Sequence, residues 1–242
     1  MKTVDVLWTG GWDSTFRVLD LVLNRGISVV PHYIADFERL SLRDELSAMH
    51  CIREIVRKRC NNSATIEKFN IISKDDLDLE EYIKNYSARA SSSVGRQYYF
   101  IASYVDHCGL KSIEIGVEKG CKAQKYIESE VELLSGDEGD YFALRDDCED
   151  DGKLLFKKMH FPLFHMSKVD MLEAAKKSGF DDIMNHSWFC HRPISGEPCG
   201  QCGVCISTIH EGFLFRFPLR GKLRYYKHLV LWKLTSLFGG NK

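Results

Sequence analysis

Leu7-Trp-Thr-Gly-Gly-Trp-Asp-Ser-Thr15 follows Val4-Asp-Val-Leu-Trp8, a short apolar run that reads as a buried β-strand. From Ser14 to Asn24 the pattern turns helical, with Phe16, Leu19 and Leu23 on one face. Strand, glycine turn and helix start together make the geometry of an anion site. Glycines let the backbone approach a ligand, and the first helical N–H groups point outward with the positive end of the helix dipole behind them. Asp13 or Ser14 is placed to cap the helix, leaving the hydroxyls of Thr9, Ser14 and Thr15 to donate to phosphate. The turn carries no lysine and fits neither G-x-x-x-x-G-K-S/T nor G-x-G-x-x-G. Its two glycines leave a plain strand-to-helix connection open beside the anion reading.

Outward from the turn, strand and helix patterns alternate. Ile27–Ala35 reads as a second strand, Leu42–Arg59 as a long charged helix and Ala64–Ile72 as a third strand. Arg96–Cys108 reads as a helix and Lys111–Val117 as a fourth strand. The β-α-β alternation and Val/Ile-rich strands predict an α/β fold: a parallel sheet with helices on both faces. The 242 residues suit one such domain, and the net charge of −1 gives no global push toward nucleic acid or membrane. No apolar run reaches the ~18 residues of a membrane span, and no signal-peptide core opens the chain. A cytoplasmic protein without membrane partners is the expectation.

Nine cysteines without a signal sequence argue against a disulfide scaffold. Four of them crowd into Cys190-His-Arg-Pro-Ile-Ser-Gly-Glu-Pro-Cys199-Gly-Gln-Cys202-Gly-Val-Cys205. Four thiolates at this spacing close a tetrahedral zinc site that does no chemistry itself, and Gly200 and Gly203 suit the tight turns between ligands. An iron–sulfur cluster is the competing ligand chemistry. His191 and His210 read as bystanders, because the cysteines already fill the shell.

Taken together, these motifs carry a family resemblance. The glycine turn resembles the S-G-G-x-D-S pyrophosphate loop of the ATP-pyrophosphatase (PP-loop) families, with Thr9 for the first serine. The C-x8-C-G-x-C-x-x-C cluster at the C-terminal end is similar to that of 7-cyano-7-deazaguanine synthases. Three further stretches resemble the same family: Pro162–Gly179, His-Ser-Trp-Phe-Cys190, and the segment from Val94 to Glu118 with Arg96-Gln97 for Arg-Asn. Glu45 aligns with a family glutamate. The resemblance covers residues 4 to 210 and implies an adenine nucleotide hydrolase-like, Rossmann-like fold with a C-terminal zinc segment. It implies ATP and Mg²⁺ as well as Zn²⁺, with Thr9, Gly10, Gly11, Asp13, Ser14 and Thr15 around the pyrophosphate. Tyr33, Ala35 and Gly116 are then expected beside the nucleotide, Asp13, Arg96 and Lys168 in catalysis, and Cys190, Cys199, Cys202 and Cys205 on the metal. The implied reaction is that of an AMP- and pyrophosphate-forming C–N ligase: a 7-carboxy-7-deazaguanine-type acid is adenylated and captured by an amine, as in queuosine biosynthesis. Homodimers are common in the family.

The substrate side departs from the pattern. The family's Y-G-Q triplet is Asp36-Phe37-Glu38-Arg39 here, and its Y-P-D-C-R stretch is replaced by Cys121-Lys-Ala-Gln-Lys-Tyr126. From Glu128 to Asp151 stand eleven acids against one base, Arg145, which reads as a helix end and a solvated acidic loop. Residues 211–242 form an extension with no acid after Glu211 and seven lysines or arginines, interleaved with aromatics such as Phe213, Tyr225 and Trp232. That tail reads as a helix packed on the sheet, or as a surface for a protein or nucleic-acid acceptor. Divergent relatives occur in bacterial defence operons, so an amine other than ammonia fits the altered substrate side. A tRNA-modifying PP-loop enzyme and a catalytically degenerate, zinc-stabilised partner-binding subunit are the alternatives.

Overall fold

Alternation along Thr3–Leu7 (β1) turns Val4 and Val6 into the core, and Gly10 and Gly11 then bend the chain into the helix Trp12–Leu19 (α1). The computed structural model describes residues 2–86 and 94–238; its side chains end at residue 231, with Asn85 also outside the description. The Trp232 and Lys233 side chains, and Lys242, lie outside the described residues. Past α1 the chain widens into a π-type turn over Asp20–Asn24, then follow Ser28–Ala35 (β2), Leu42–Arg59 (α2), Asn70–Ser73 (β3) and Leu79–Asn85 (α3). The next elements are Gln97–His107 (α4), Ile113–Glu114 (β4), Lys122–Ile127 (α5), Val131–Gly136 (β5), Gly139–Leu144 (β6) and Met159–Phe161 (β7). Lys168–Ser178 (α6), Asp181–Met184 (α7), Gly203–His210 (α8) and Leu219–Phe238 (α9) complete the described chain.

The sheet has seven strands in the order β3-β2-β1-β4-β7-β6-β5, parallel from β3 through β7 and antiparallel beyond it. One face packs on α1, α2, α6 and α7 through residues such as Phe16, Met49, Ile52, Met171 and Phe180. The other packs on α4 through Tyr99, Ile101 and Val105, with Phe156 and Phe161 alongside. This is the doubly covered α/β fold that the β-α-β pattern predicts. Arg17 of α1 fixes the centre: it is buried and forms two 2.7 Å hydrogen bonds with the Glu114 carboxylate of β4. Because β2 and β4 flank β1 on opposite sides, the sheet leaves a crevice beyond the carboxyl ends of β1 and β4. Open α/β sheets hold their ligands at this switch point.

Three stretches differ from the sequence reading, the fourth strand among them, which spans only Ile113–Glu114 rather than Lys111–Val117. The third strand shrinks to Asn70–Ser73, with Ile66 making only an isolated bridge to Val29. The acidic stretch is not only a helix end and a loop, because β5 and β6 form a hairpin that extends the sheet, pairing Phe142 with Phe161 of β7. Its acids obscure the pattern: they sit on the exposed face and in the two-residue Asp137-Glu138 turn, while Ala143 and Leu144 are buried. Lys2 clasps that turn at 3.1 Å to Asp137 and 2.6 Å to Glu138.

The C-terminal helix packs on the cysteine segment rather than on the sheet. Phe217 and Tyr225 are buried, and Phe217 joins Cys190, Cys199 and Cys205 in one cluster. Arg224 donates to the Cys199 and Pro198 carbonyls at 3.1 and 3.0 Å. Gly200 sits at φ +74, and a Cβ there would lie 2.3 Å from the Gly221 carbonyl oxygen. Gly200→Ala is therefore expected to cost more than the ~1–2 kcal/mol of a left-handed non-glycine residue. Gly109→Ala, at φ +62 with open space around it, carries only that conformational cost. Thermal melts that show equal losses for the two variants would refute this contact between α9 and the cysteine turn.

Candidate active site

The turn from Thr9 to Asp13 sits directly at the switch point. Gly11 is the N-cap of α1 and no side chain caps it, so the first N–H groups of the helix are left for a ligand. Ser14 is not the cap that the sequence suggests: its hydroxyl instead lies 3.4 Å from the Thr9 backbone nitrogen and 3.4 Å from the Thr9 hydroxyl. Thr15 is fully buried and accepts from Trp8 Nε1 at 3.0 Å, so its hydroxyl serves the core. Gly10 adopts φ +72 against Met49 and the Glu45 carbonyl, each 3.1 Å from where a Cβ would stand. Gly116, at the end of β4, has Asp13 Cβ at the same 3.1 Å, so the two segments touch without room for a side chain.

Two cavities meet at this turn and share Thr9, Gly11, Asp13 and Gln97 as lining. The first, about 240 Å³, is bounded by Lys168, Arg39 and Glu45, by Trp188 and His191 of the cysteine segment, and by Arg216. The second, about 170 Å³, lies over the strand ends among Leu7, Ile101, Ile115, Gly116 and Val117. Of the residues singled out in the sequence, Thr9, Gly11, Asp13, Glu45 and Lys168 line the first cavity, and Ser14 and Gly116 line the second. Arg96 is exposed and lines neither; its neighbour Gln97 lines both. Tyr33 and Ala35 are buried and line neither, and the Tyr33 hydroxyl is engaged 2.7 Å from Glu45.

The charges of the first cavity are arranged around Asp13. Its Oδ1 is buried and has no hydrogen-bond partner. Burial, reinforced by the Glu118 carboxylate, pushes its pKa up to about 8 against the pull of Lys168. Lys168 Nζ lies 3.1 Å from Glu118 and 3.0 Å from Glu211. Burial pulls its pKa down, but Asp13, Glu118 and Glu211 outweigh burial and raise it, so it stays a cation. At the far end Glu45 accepts from Tyr33 and Ser41 and pairs with Arg39 at 3.3 Å, while Arg39 lies 3.2 Å from His191 Nε2. A buried carboxylate oxygen without a donor, next to a phosphate-type helix terminus, fits a divalent cation held together with an anion.

The four cysteines converge above the turn. Their sulfurs all lie within 4.8 Å of one another, and Cys199 and Cys205 are 3.8 Å apart. A Zn–S bond of ~2.3 Å in a tetrahedron puts sulfurs about 3.8 Å apart, so this donor set fits one shared ion. In an iron–sulfur cubane each thiolate binds a different iron, which holds the sulfurs further apart. Backbone N–H groups of Cys199, Gln201 and Cys202 donate to cysteine sulfurs at 3.2–3.3 Å. Cys202 is the N-cap residue of α8, with no side-chain cap hydrogen bond. The Cys205 thiol and backbone donors pull the Cys190 thiol down to about 5. The segment is tied to the glycine turn as well: Trp188 N donates to the Gly10 carbonyl at 2.7 Å.

The fold and site define a class: a β-strand, glycine turn and helix at a switch point, roofed by a four-cysteine centre. Residues 4–214 match the family model described as queuosine biosynthesis protein QueC, and the chain belongs to that family. A 7-cyano-7-deazaguanine synthase of Leptospira biflexa is 40% identical over 53 residues, covering 22% of this chain and 20% of that protein. One of Erythrobacter litoralis is 39% identical over 49 residues, covering 20% of each. These alignments thus span only about a fifth of the relatives' length. Among solved structures, the U34-tRNA thiolase NcsA from Methanococcus maripaludis with its 4Fe-4S cluster aligns with a TM-score of 0.45 and 17% identity, covering 96% of this chain and 73% of that one.

Arg39, Gln97, His191 and Arg216 were not legible as site residues in the sequence. They come from four separate segments; Arg39, Gln97 and His191 stand within or beside motif stretches whose spacing does not show where these side chains end up, and only the folded chain brings all four to the first cavity. Among the described residues, no helix is long and apolar enough to cross a membrane.

Proposed function

We propose that this chain adenylates the carboxylate of a 7-carboxy-7-deazaguanine-type acid with ATP and passes the acyl group to an amine. The observation that carries the reading is the orphaned Asp13 Oδ1 beside the uncapped start of α1, at the switch point of a QueC-family sheet. The adenosine half of ATP occupies the apolar cavity over Leu7, Ile115 and Val117, and its phosphates lie along Gly11–Ser14. This placement revises the expected role of Tyr33 and Ala35, which stay in the core.

The acid's oxygen attacks the α-phosphorus, the bond to the bridging oxygen breaks, and pyrophosphate leaves. An amine then forms the C–N bond as AMP departs with the electron pair and the amine's proton passes to solvent. Backbone N–H groups of α1 and the Lys168 ammonium stabilise charge on the leaving group. Asp13 would hold Mg²⁺, which would supply Lewis-acid neutralisation of the phosphates. Cys190, Cys199, Cys202 and Cys205 would hold Zn²⁺ as a structural ion, in the segment whose Trp188 N donates to the Gly10 carbonyl.

Incubation with Mg-ATP and 7-carboxy-7-deazaguanine tests this, with small molecules and protein both read by mass spectrometry. AMP and pyrophosphate are expected in equal amounts and only when the acid is present. An amide, a nitrile or a mass adduct on a protein amine identifies the acceptor. No acid-dependent pyrophosphate, with ammonia or other amines supplied, refutes the substrate assignment.

A further inference from the structure

Arg216 lies beyond the family-matched segment, in the extension that the sequence reading left without a site role. Its guanidinium carbon stands 4.7 Å from the ring centre of Trp12, in the glycine turn, and 4.6 Å from that of Phe189, next to Cys190. Nη2 donates to the Ser187 carbonyl at 2.6 Å and to its hydroxyl at 2.7 Å, which fixes the plane of the group. Nε is buried and has no partner. Burial pulls the Arg216 pKa down to about 10 while Asp13 raises it, so the group is cationic at neutral pH.

An unpaired buried donor on a cation is costly to a fold. The same cavity wall holds the opposite orphan, Asp13 Oδ1. One ligand satisfies both when it brings a cation to the carboxylate and an oxyanion to the guanidinium. We propose that Arg216 is a binding residue for a phosphate oxyanion of ATP and of the departing pyrophosphate, so that the C-terminal extension completes the active site. The assignment rests on the ATP reading above. Phosphate is favoured over the acid's carboxylate because the cavity shares the uncapped start of α1 and Lys168. Stacking on two aromatic faces restrains the planar guanidinium, a group suited to phosphate recognition.

The test uses the full chain and calorimetric titration with magnesium pyrophosphate and Mg-ATP. Arg216→Gln is expected to weaken pyrophosphate binding by about 10- to 100-fold, the loss of a charge-assisted hydrogen bond. Arg216→Lys keeps the charge without the planar edge and falls in between; it carries the test if the glutamine variant does not fold. Arg216→Ala is expected to regain part of its binding when guanidinium ion is added, which a purely structural role does not predict. Exposed Arg220→Gln is the control and binds as the parent does. Parent-like pyrophosphate affinity in Arg216→Gln overturns the inference while leaving the ATP reading intact. A raised KM for the acid alone, with pyrophosphate affinity unchanged, moves Arg216 to the carboxylate and also overturns it. Failure of the parent to bind either ligand removes the ATP reading, and this inference with it.

Discussion

Asp13→Asn is expected to cut acid-dependent pyrophosphate release sharply and, at the same time, to raise the melting temperature of the ligand-free protein. Both effects come from one buried oxygen. In the native protein burial, reinforced by Glu118, pushes the Asp13 pKa up to about 8 from its ordinary value of 3.8. Between those two values the native state holds the proton that the unfolded chain has released. Stability contributed by this group is therefore full below pH 4, falls as pH rises toward 8 and stays low above it. A shift of this size corresponds to several kcal/mol at about 1.4 kcal/mol per unit. Asparagine has the same shape and no charge, so its variant lacks this dependence. Melts at pH 6 and pH 9 are the measurement: the parent loses more than the variant over that interval. A variant that melts no higher than the parent at pH 9 rules out the unpaired carboxylate as a burden. Activity is expected to fall by about 1,000-fold, the order lost with one preorganised transition-state group. Mg-ATP should restore stability to the parent at pH 8 and leave the variant unmoved. Asp13 thus opposes folding until a cation arrives.

Removing the cysteine-bound ion is expected to be as damaging, through a different route. Cys190, Cys199 and Cys205 are buried with Phe217 in a cluster that has few other apolar partners. Structural zinc contributes about 10–16 kcal/mol in small zinc modules, comparable to the whole stability of a domain. Cys202→Ser or strong chelation should therefore release α8 and α9, with loss of helical circular dichroism and faster proteolysis after Arg216 and Arg220. Nucleotide affinity should fall together with it, because Trp188 N donates to the Gly10 carbonyl of the turn. Elemental analysis is expected to return one zinc per chain. Iron with labile sulfide, or full ATP binding after the metal is stripped, contradicts this picture.

Local signals made much of the scaffold readable. Phe16, Leu19 and Leu23, and the matching spacing in Leu42–Arg59, marked helices because burial on one face recurs at the helical period. The glycine turn and the four cysteines were legible because their chemistry lies in short spacings along the chain. The β5–β6 hairpin was not, since Glu132 to Ser135 are all exposed and β5 has no alternation of burial for its sequence to reflect. Resemblance points to Arg96, yet Arg96 lines neither cavity, whereas Gln97, one position on and itself exposed, lines both. One position on a helix is 100°, enough to change which residue faces a cavity.

The sequence by itself determined the β-α-β alternation of the first four strands, the glycine turn and a metal-type cysteine set, all of which depend on neighbours within a few residues. Only the tertiary structure decided what surrounds the turn. It hung Trp188 on Gly10, brought Lys168 between Glu118 and Glu211, and set Arg216 against Trp12, across 178 residues of chain in the first case, 50 and 43 in the second and 204 in the third. Those contacts are fixed by sheet order and by the close packing of α9 on the cysteine turn, where Gly200 and Gly221 leave no space for a side chain. Local spacing encodes the loop, and long-range packing encodes the charges that act on its ligand.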